Sequence, residues 1–172
     1  MARFLGILVL IIVISGAAIA KSVPTYEGDA VTAIVVHKGA RKMYLMHNDK
    51  VLRSYDVGLG FAPEGHKEIE GDGKTPEGRY LIDRKNPNSK FHLSLGISYP
   101  NDADRDYAQS IGRSPGGDIF IHGNQDLKNR LKRDWRNAFD TDWTAGCIAV
   151  TDAEMSEIYS MVRIGTPIFI QR

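Results

Sequence analysis

Between residues 31 and 60 the chain reads VTAIVVHK, a turn at Gly39, RKMYLMH, a turn at Asn48-Asp49, and then VLRSYDVGLG. The segments are short and rich in β-branched residues, and each break falls on residues that tolerate a tight turn. Alternation with a period of about 2 suits a half-buried strand, whereas a helical face repeats every 3.6 residues or so. The domain is therefore expected to open as a three-strand meander: Val31 to Lys38, Arg41 to His47, and a third strand from Val51.

Further strands are expected in RYLIDRKN, FHLSLGISYP and the closing GTPIFIQR, and a buried strand from Ile119 to Ile121 stands directly before His122. APEGHKEIEGDGKTPEG, residues 62–78, is rich in Gly, Pro and charge and reads as a loop. Asp102 to Gly112 suits a short helix. Leu127, Leu131 and Trp135 recur every fourth position, so a helix is expected from Asp126 to Ala138, with Lys128, Arg130, Lys132, Arg133 and Arg136 on its other face. That face is either solvated or a patch for an anionic polymer. Thr151 with Glu154 three residues on forms a capping box, so another helix begins just past Val150. The sum is an α+β domain, mainly antiparallel β-sheet or sandwich, with about three short helices.

The N-terminus sets the compartment. Arg3 precedes an apolar run from Phe4 to Ile14, and small residues end at Ala18-Ile19-Ala20. This is the pattern of a signal peptide over residues 1–20, cleaved after Ala20; the run is shorter than the roughly 20 residues of a membrane span. Membrane attachment follows only if the segment stays uncleaved. Residues 21–172 then form one exported domain facing the periplasm or cell envelope. With 22 basic and 21 acidic residues the net charge is +1, which gives no footprint for nucleic acid. The five histidines are scattered and none pairs with cysteine at a zinc-like spacing, so no metal is expected.

Cys147 is the only cysteine. Exported compartments pair thiols, so an unpaired one is either inert and buried or reactive. Its neighbours favour chemistry. Gly146 lets backbone approach closely and frees amide groups to face a reacting carbonyl oxygen. His122, at the end of an apolar strand and followed by Gly123, offers a base that can take the thiol proton and return it to a leaving amine.

The pair IHG (Ile121 to Gly123) and TAGCIAV (Thr144 to Val150) resembles the active-site signature of the L,D-transpeptidase catalytic domain family, YkuD: His-Gly, a spacer, then Ser/Thr-x-Gly-Cys. GDGKTPEGRYLI (Gly71 to Ile82) resembles the family's upstream Lys-Thr-Pro-x-Gly-x-aromatic segment, and SYPN (Ser98 to Asn101) and GTPIFI (Gly165 to Ile170) also fit. The resemblance runs from Ala30 almost to the last residue. It implies that Cys147 is the nucleophile and His122 the proton donor and acceptor, with Gly123 supporting the histidine. Thr144 and Gly146 would shape the turn, with the amides of Gly146 and Cys147 as an oxyanion hole. The family orients its histidine by a main-chain carbonyl; Asp118, Asp140 and Asp142 are rivals for that task.

Two positions depart from the pattern. Much of the family has His where Ala145 stands, and a basic residue or Asn where Ala149 stands; the basic residue helps hold the donor's carboxylate. Arg105, Arg113 and the 128–136 cluster are candidate substitutes, and Tyr99 is either a wall of the donor groove or a core aromatic. These departures and the long spacer resemble the YafK-like (DpaA-like) subgroup, which includes an enzyme that cuts the link between peptidoglycan and a lipoprotein. The resemblance implies attack on the bond between the L-centre of meso-diaminopimelate and a D-amino acid in peptidoglycan stem peptides, with no cofactor. Resolution of the thioester by an amine is transpeptidation. The alternative is a hydrolase cleaving stem-peptide or peptidoglycan–lipoprotein links. A non-catalytic peptidoglycan-binding protein is the remote third class and would need neither Cys147 nor His122 in these settings.

Overall fold

The computed structural model of the chain describes residues 23–124 and 142–172. The signal segment 1–20, Asp140 and the basic helix expected from Asp126 to Ala138 lie outside the described residues. Inside them are eight strands and two helices: β1 (Ala33–His37), β2 (Lys42–His47), β3 (Lys50–Asp56), β4 (Gly78–Asn86), β5 (Ser94–Ile97), α1 (Asp102–Ser110), β6 (Phe120–Asn124), β7 (Ile148–Thr151), α2 (Asp152–Met161) and β8 (Pro167–Gln171).

The expected meander is β1-β2-β3, and the alternation along β1 and β2 is the alternation of buried and half-buried side chains. One sheet runs in the order β3-β2-β1-β8-β4-β5-β6-β7. It is mixed rather than uniformly antiparallel, since β1 pairs with β8, and β6 with β7, in parallel. The closing strand β8 is inserted between β1 and β4, so the two ends of the domain lie side by side in the sheet's interior.

Strand β4 links the two halves of the sheet: Gly78 to Leu81 pair with β8, and the stretch from Ile82 to Asn86 pairs with β5. A bulge lies between Ile82 and Arg84, where two steps along β4 oppose one step from Ile97 to Gly96. Beyond β3 the chain reaches the far edge of the sheet. Gly58 exchanges backbone hydrogen bonds of 2.9 and 2.8 Å with Ala149, and Phe61 N–H donates to the Thr144 carbonyl at 2.9 Å. These bonds cover the edge of β7 and hold the turn before it.

The core is one cluster in which Ile34, Met43, Leu45, Ile82, Leu95, Ile121, Ile148, Met155 and Ile158 are fully buried. Each such side chain contributes roughly 1.5–3 kcal/mol relative to exposure. The capping box on Thr151 forms as expected: Thr151 Oγ1 accepts the Glu154 amide at 3.2 Å, and Glu154 Oε2 accepts the Thr151 amide at 2.8 Å. The helix it starts, α2, packs on β5, β6 and β7, and it does so on the face that carries Ile121 and Gly123. A Cβ on Gly123 would collide with Asp152 Oδ1 and would meet the Phe91 carbonyl at 2.8 Å. The opposite face of these strands is therefore turned away from the helix.

Candidate active site

The two candidate reacting residues stand on adjacent strands, on that opposite face. In β6–β7 the partners are Ile121↔Ile148 and His122↔Ala149, so Cys147, one residue earlier, stands opposite Phe120. With about 3.3 Å per residue and about 4.8 Å between strands, this register places the Cα atoms of Cys147 and His122 about 8 Å apart on one face. The position of His122 differs from expectation. It is the middle residue of β6, in the interior of the sheet between β5 and β7, rather than at a strand end.

His122 is 3% exposed. Phe91 stacks on its ring with centroids 4.5 Å apart, and Trp143 meets it edge-on at 5.8 Å. Its Nδ1 lies 2.6 Å from the Gly123 carbonyl. A carbonyl only accepts, so Nδ1 carries the proton and Nε2 presents the lone pair. The orienting carbonyl is thus that of the next residue. Burial pushes the imidazole below its ordinary pKa of 6.5, against the opposing pull of the Gly123 carbonyl, and keeps the ring neutral at neutral pH.

Cys147 is a half-buried free thiol whose Sγ–H donates to the Asp118 carbonyl at 3.5 Å. Burial pushes its pKa above the ordinary value; the Asp118 charge adds to the rise, while the Phe120 backbone N–H and the Lys67 charge oppose it. The resting pair is therefore thiol and neutral imidazole rather than thiolate and imidazolium.

Thr144 builds the turn before Cys147. It is buried, its hydroxyl donates to the Cys147 carbonyl at 2.8 Å, and its oxygen accepts the Gly146 amide at 3.1 Å. The Gly146 amide is thus spent on Thr144, which corrects its expected place in an oxyanion hole; Thr144 does not tie the Cys147 amide. Gly146 has φ of +138°, and a Cβ there would meet the Lys74 carbonyl at 2.7 Å, so only glycine fits. The 62–78 loop consequently packs directly under the nucleophile.

Other expected residues fall elsewhere. Tyr99 is buried, donates its hydroxyl to the Pro115 carbonyl at 3.0 Å and packs against Tyr80, so it is a core aromatic and not a groove wall. Arg105 turns back onto its own helix, bonding the Pro100 carbonyl and Asp102. Arg113 follows α1, its amide bound to the Ala108 carbonyl. Asp142 clamps Arg41 at 2.7 Å and the Leu59 amide at 2.9 Å instead of orienting the histidine.

Lys67 was not legible as a site residue. A lysine in a charged, Gly-rich loop reads as solvated, yet it is 3% exposed. It is held by Asp72 at 2.9 Å and by the Ile69 carbonyl at 3.0 Å, near enough for its charge to act on Cys147. Among the described residues no group of three or more His, Cys, Asp or Glu side chains is placed to hold a metal ion.

Residues 31–170 match the family of L,D-transpeptidase catalytic domains, YkuD. YafK of Escherichia coli K12, which carries the L,D-transpeptidase name, is 27% identical over 115 residues, covering 66% of this chain and 38% of YafK. The crystal structure of the helical cell shape determining protein Pgp2 from Campylobacter jejuni superposes with a TM-score of 0.56 and 26% identity, over 84% of this chain and 49% of that one. An L,D-transpeptidase from Mycobacterium smegmatis shares the fold, with a TM-score of 0.53 and 15% identity over 83% of this chain and 59% of its own. The chain thus spans about half the length, or less, of YafK and Pgp2.

Proposed function

The chain belongs to the L,D-transpeptidase catalytic-domain family, and from that premise we propose that it is an exported, cysteine-dependent acyltransferase acting on peptidoglycan stem peptides in the cell envelope. One observation carries this reading. The His122 ring is pinned through Nδ1 to the Gly123 carbonyl, leaving Nε2 as a base on the face and in the neighbourhood of the Cys147 thiol.

The steps follow from that arrangement. Nε2 of His122 takes the Cys147 proton, and the thiolate attacks the carbonyl between the L-centre of meso-diaminopimelate and the following D-residue. The Cys147 amide, which Thr144 does not tie, holds the oxyanion. The tetrahedral species collapses, the C–N bond breaks, and the leaving amine takes the proton from His122. The acyl group stays on Cys147 as a thioester. An amine of a second stem resolves it by transpeptidation. Water resolves it by hydrolysis, of a stem peptide or of a peptidoglycan–lipoprotein link. Small side chains at Ala145, which is exposed, and at Ala149 favour hydrolysis as the second reading.

The test is acylation of the domain from Lys21 onward by a thiol-reactive carbapenem, followed by mass measurement. One adduct is expected on the native protein and none on Cys147→Ala. His122→Ala should acylate about 100- to 10,000-fold more slowly, the usual contribution of a positioned acid/base. No adduct on the native protein would sink the proposal. Incubation with sacculi then separates the two resolutions: new diaminopimelate–diaminopimelate dimers mark transfer, and released lipoprotein or trimmed stems without dimers mark hydrolysis.

A further inference from the structure

Strand β4, in which the sequence singled out no site residue, sends one cation onto the face that bears Cys147. Arg84 of β4 pairs with Gly96 of β5, Gly96 pairs with Phe120 of β6, and Phe120 stands opposite Cys147. These four positions form one row across four strands, on the face turned away from α2. Strict alternation along β4 would have pointed Arg84 into the core with Ile82, which is fully buried. The bulge at Asp83 adds one residue and turns Arg84 out onto the face that bears the thiol.

The rest of the row lets the side chain cross toward the sulfur. Gly96 has no Cβ, and one placed there would collide with Asp83 Oδ1 and would meet Arg84 Cγ at 2.5 Å and Nε at 2.9 Å, so the arginine and its Asp83 partner both lie over the glycine. Its guanidinium carbon rests 4.6 Å from the centre of the Phe120 ring. One terminal nitrogen binds Asp118 Oδ1 at 3.1 Å and the other binds Asp83 Oδ2 at 2.8 Å. Asp118 is also the residue whose carbonyl accepts the Cys147 thiol proton. The cation is therefore anchored one strand away from the nucleophile.

Its present partners are weak competitors. The Asp118 carboxylate is 90% exposed and that of Asp83 34% exposed, and such surface pairs contribute little because water replaces them at small cost. A guanidinium has five N–H donors in a planar fork suited to a carboxylate, and two acid partners leave donors to spare.

We propose that Arg84 binds the terminal carboxylate of the donor stem, the one a single residue beyond the carbonyl that Cys147 attacks. The inference rests on the acyltransfer reading above. The spacing selects this carboxylate: a terminal carboxylate lies one residue from the attacked carbon, and the guanidinium lies one strand from the sulfur. Arg84 thereby selects donors ending in a free D-amino acid and orients the scissile bond over the thiol. Asp118 holds the guanidinium in place until the donor's carboxylate displaces it.

The experiment measures binding, so it does not depend on turnover. In a Cys147→Ser protein, affinities are compared by calorimetry for L-Ala-γ-D-Glu-meso-diaminopimelate-D-Ala and for the same peptide with a C-terminal amide. The free acid is expected to bind about tenfold more tightly; this is the low end for a charge-assisted bond, because the Arg84 side chain is 43% exposed. Adding Arg84→Gln should bring the two peptides within about twofold, while Arg84→Lys, a point charge without the fork, should retain part of the preference. Thermal melts of the Arg84→Gln variants establish that the fold is kept. A preference that survives Arg84→Gln in a folded protein overturns the assignment, as does its absence in the Cys147→Ser parent. If neither peptide binds although the native thiol is labelled, the stem-peptide reading itself fails and takes this inference with it.

Discussion

Thr144→Val is the sharpest probe of how the nucleophile is held. The substitution exchanges a hydroxyl for a methyl of similar size at a buried site, so packing is nearly preserved while two hydrogen bonds vanish. The Gly146 amide is buried and loses its acceptor, which costs about 1–3 kcal/mol for an orphaned donor. The Cys147 carbonyl loses a donor but keeps a second lone pair, which adds a smaller loss of about 0.5–1 kcal/mol. Together these predict a destabilisation of about 2–3 kcal/mol. For a domain of this size that lowers the melting temperature by about 5–10 °C. The assay is a thermal melt of the domain from Lys21 onward, run beside Thr144→Ser, which restores both bonds and should melt near wild type. The turn also presents the thiol, so labelling of Cys147 should slow in the valine variant and recover in the serine variant. A valine variant melting within about 2 °C of wild type, or a serine variant no better than valine, would refute the claim that the hydroxyl organises this turn.

Burial sets the pH profile through opposite shifts, with His122 below its ordinary 6.5 and Cys147 above its ordinary 9.0. The rate constant for acylation should therefore be flat between those values, falling on the acid side only below pH 6.5 and on the alkaline side only above pH 9.0. An acid limb above pH 6.5 would contradict the neutral resting pair. Lys67→Met removes a cation that pulls the Cys147 pKa down, so a thiol titration by alkylation rate should move toward higher pH. It also strands the Asp72 carboxylate, although three backbone amides still serve that group. A thiol titration left unmoved in Lys67→Met would remove Lys67 from the site's electrostatics.

Much of the local architecture was legible because it is written in short-range chemistry. The meander follows from alternation and turn residues, and the helix after Val150 follows from the Thr151–Glu154 box. The boundaries of β4 and α1 fall within a few residues of those expected. One missed expectation and one open alternative share a cause. His122 was placed at a strand end because Gly123 follows it, yet β6 continues to Asn124, since β5 and β7 on either side supply partners for its backbone. Tyr99 could not be assigned to core or groove because an aromatic beside a proline suits both, and only the packing of Tyr80 against it decides.

The sequence by itself singled out the candidate reacting groups: one unpaired thiol after a glycine and one histidine beside another glycine, in an order that resembles a known signature. That Gly146 must be glycine follows only from the structure, through a backbone angle no other residue adopts easily. Tertiary structure decided what surrounds them. Strand pairing is non-local, and one added residue reverses which face a side chain occupies. That single residue, the bulge at Asp83, brings Arg84 onto the row of Cys147. Loop packing likewise buries Lys67, and the parallel register of β6 and β7 sets the reach from His122 to the thiol. No periodicity in the chain encodes these distances, because each is the product of two segments that meet only when the sheet is complete.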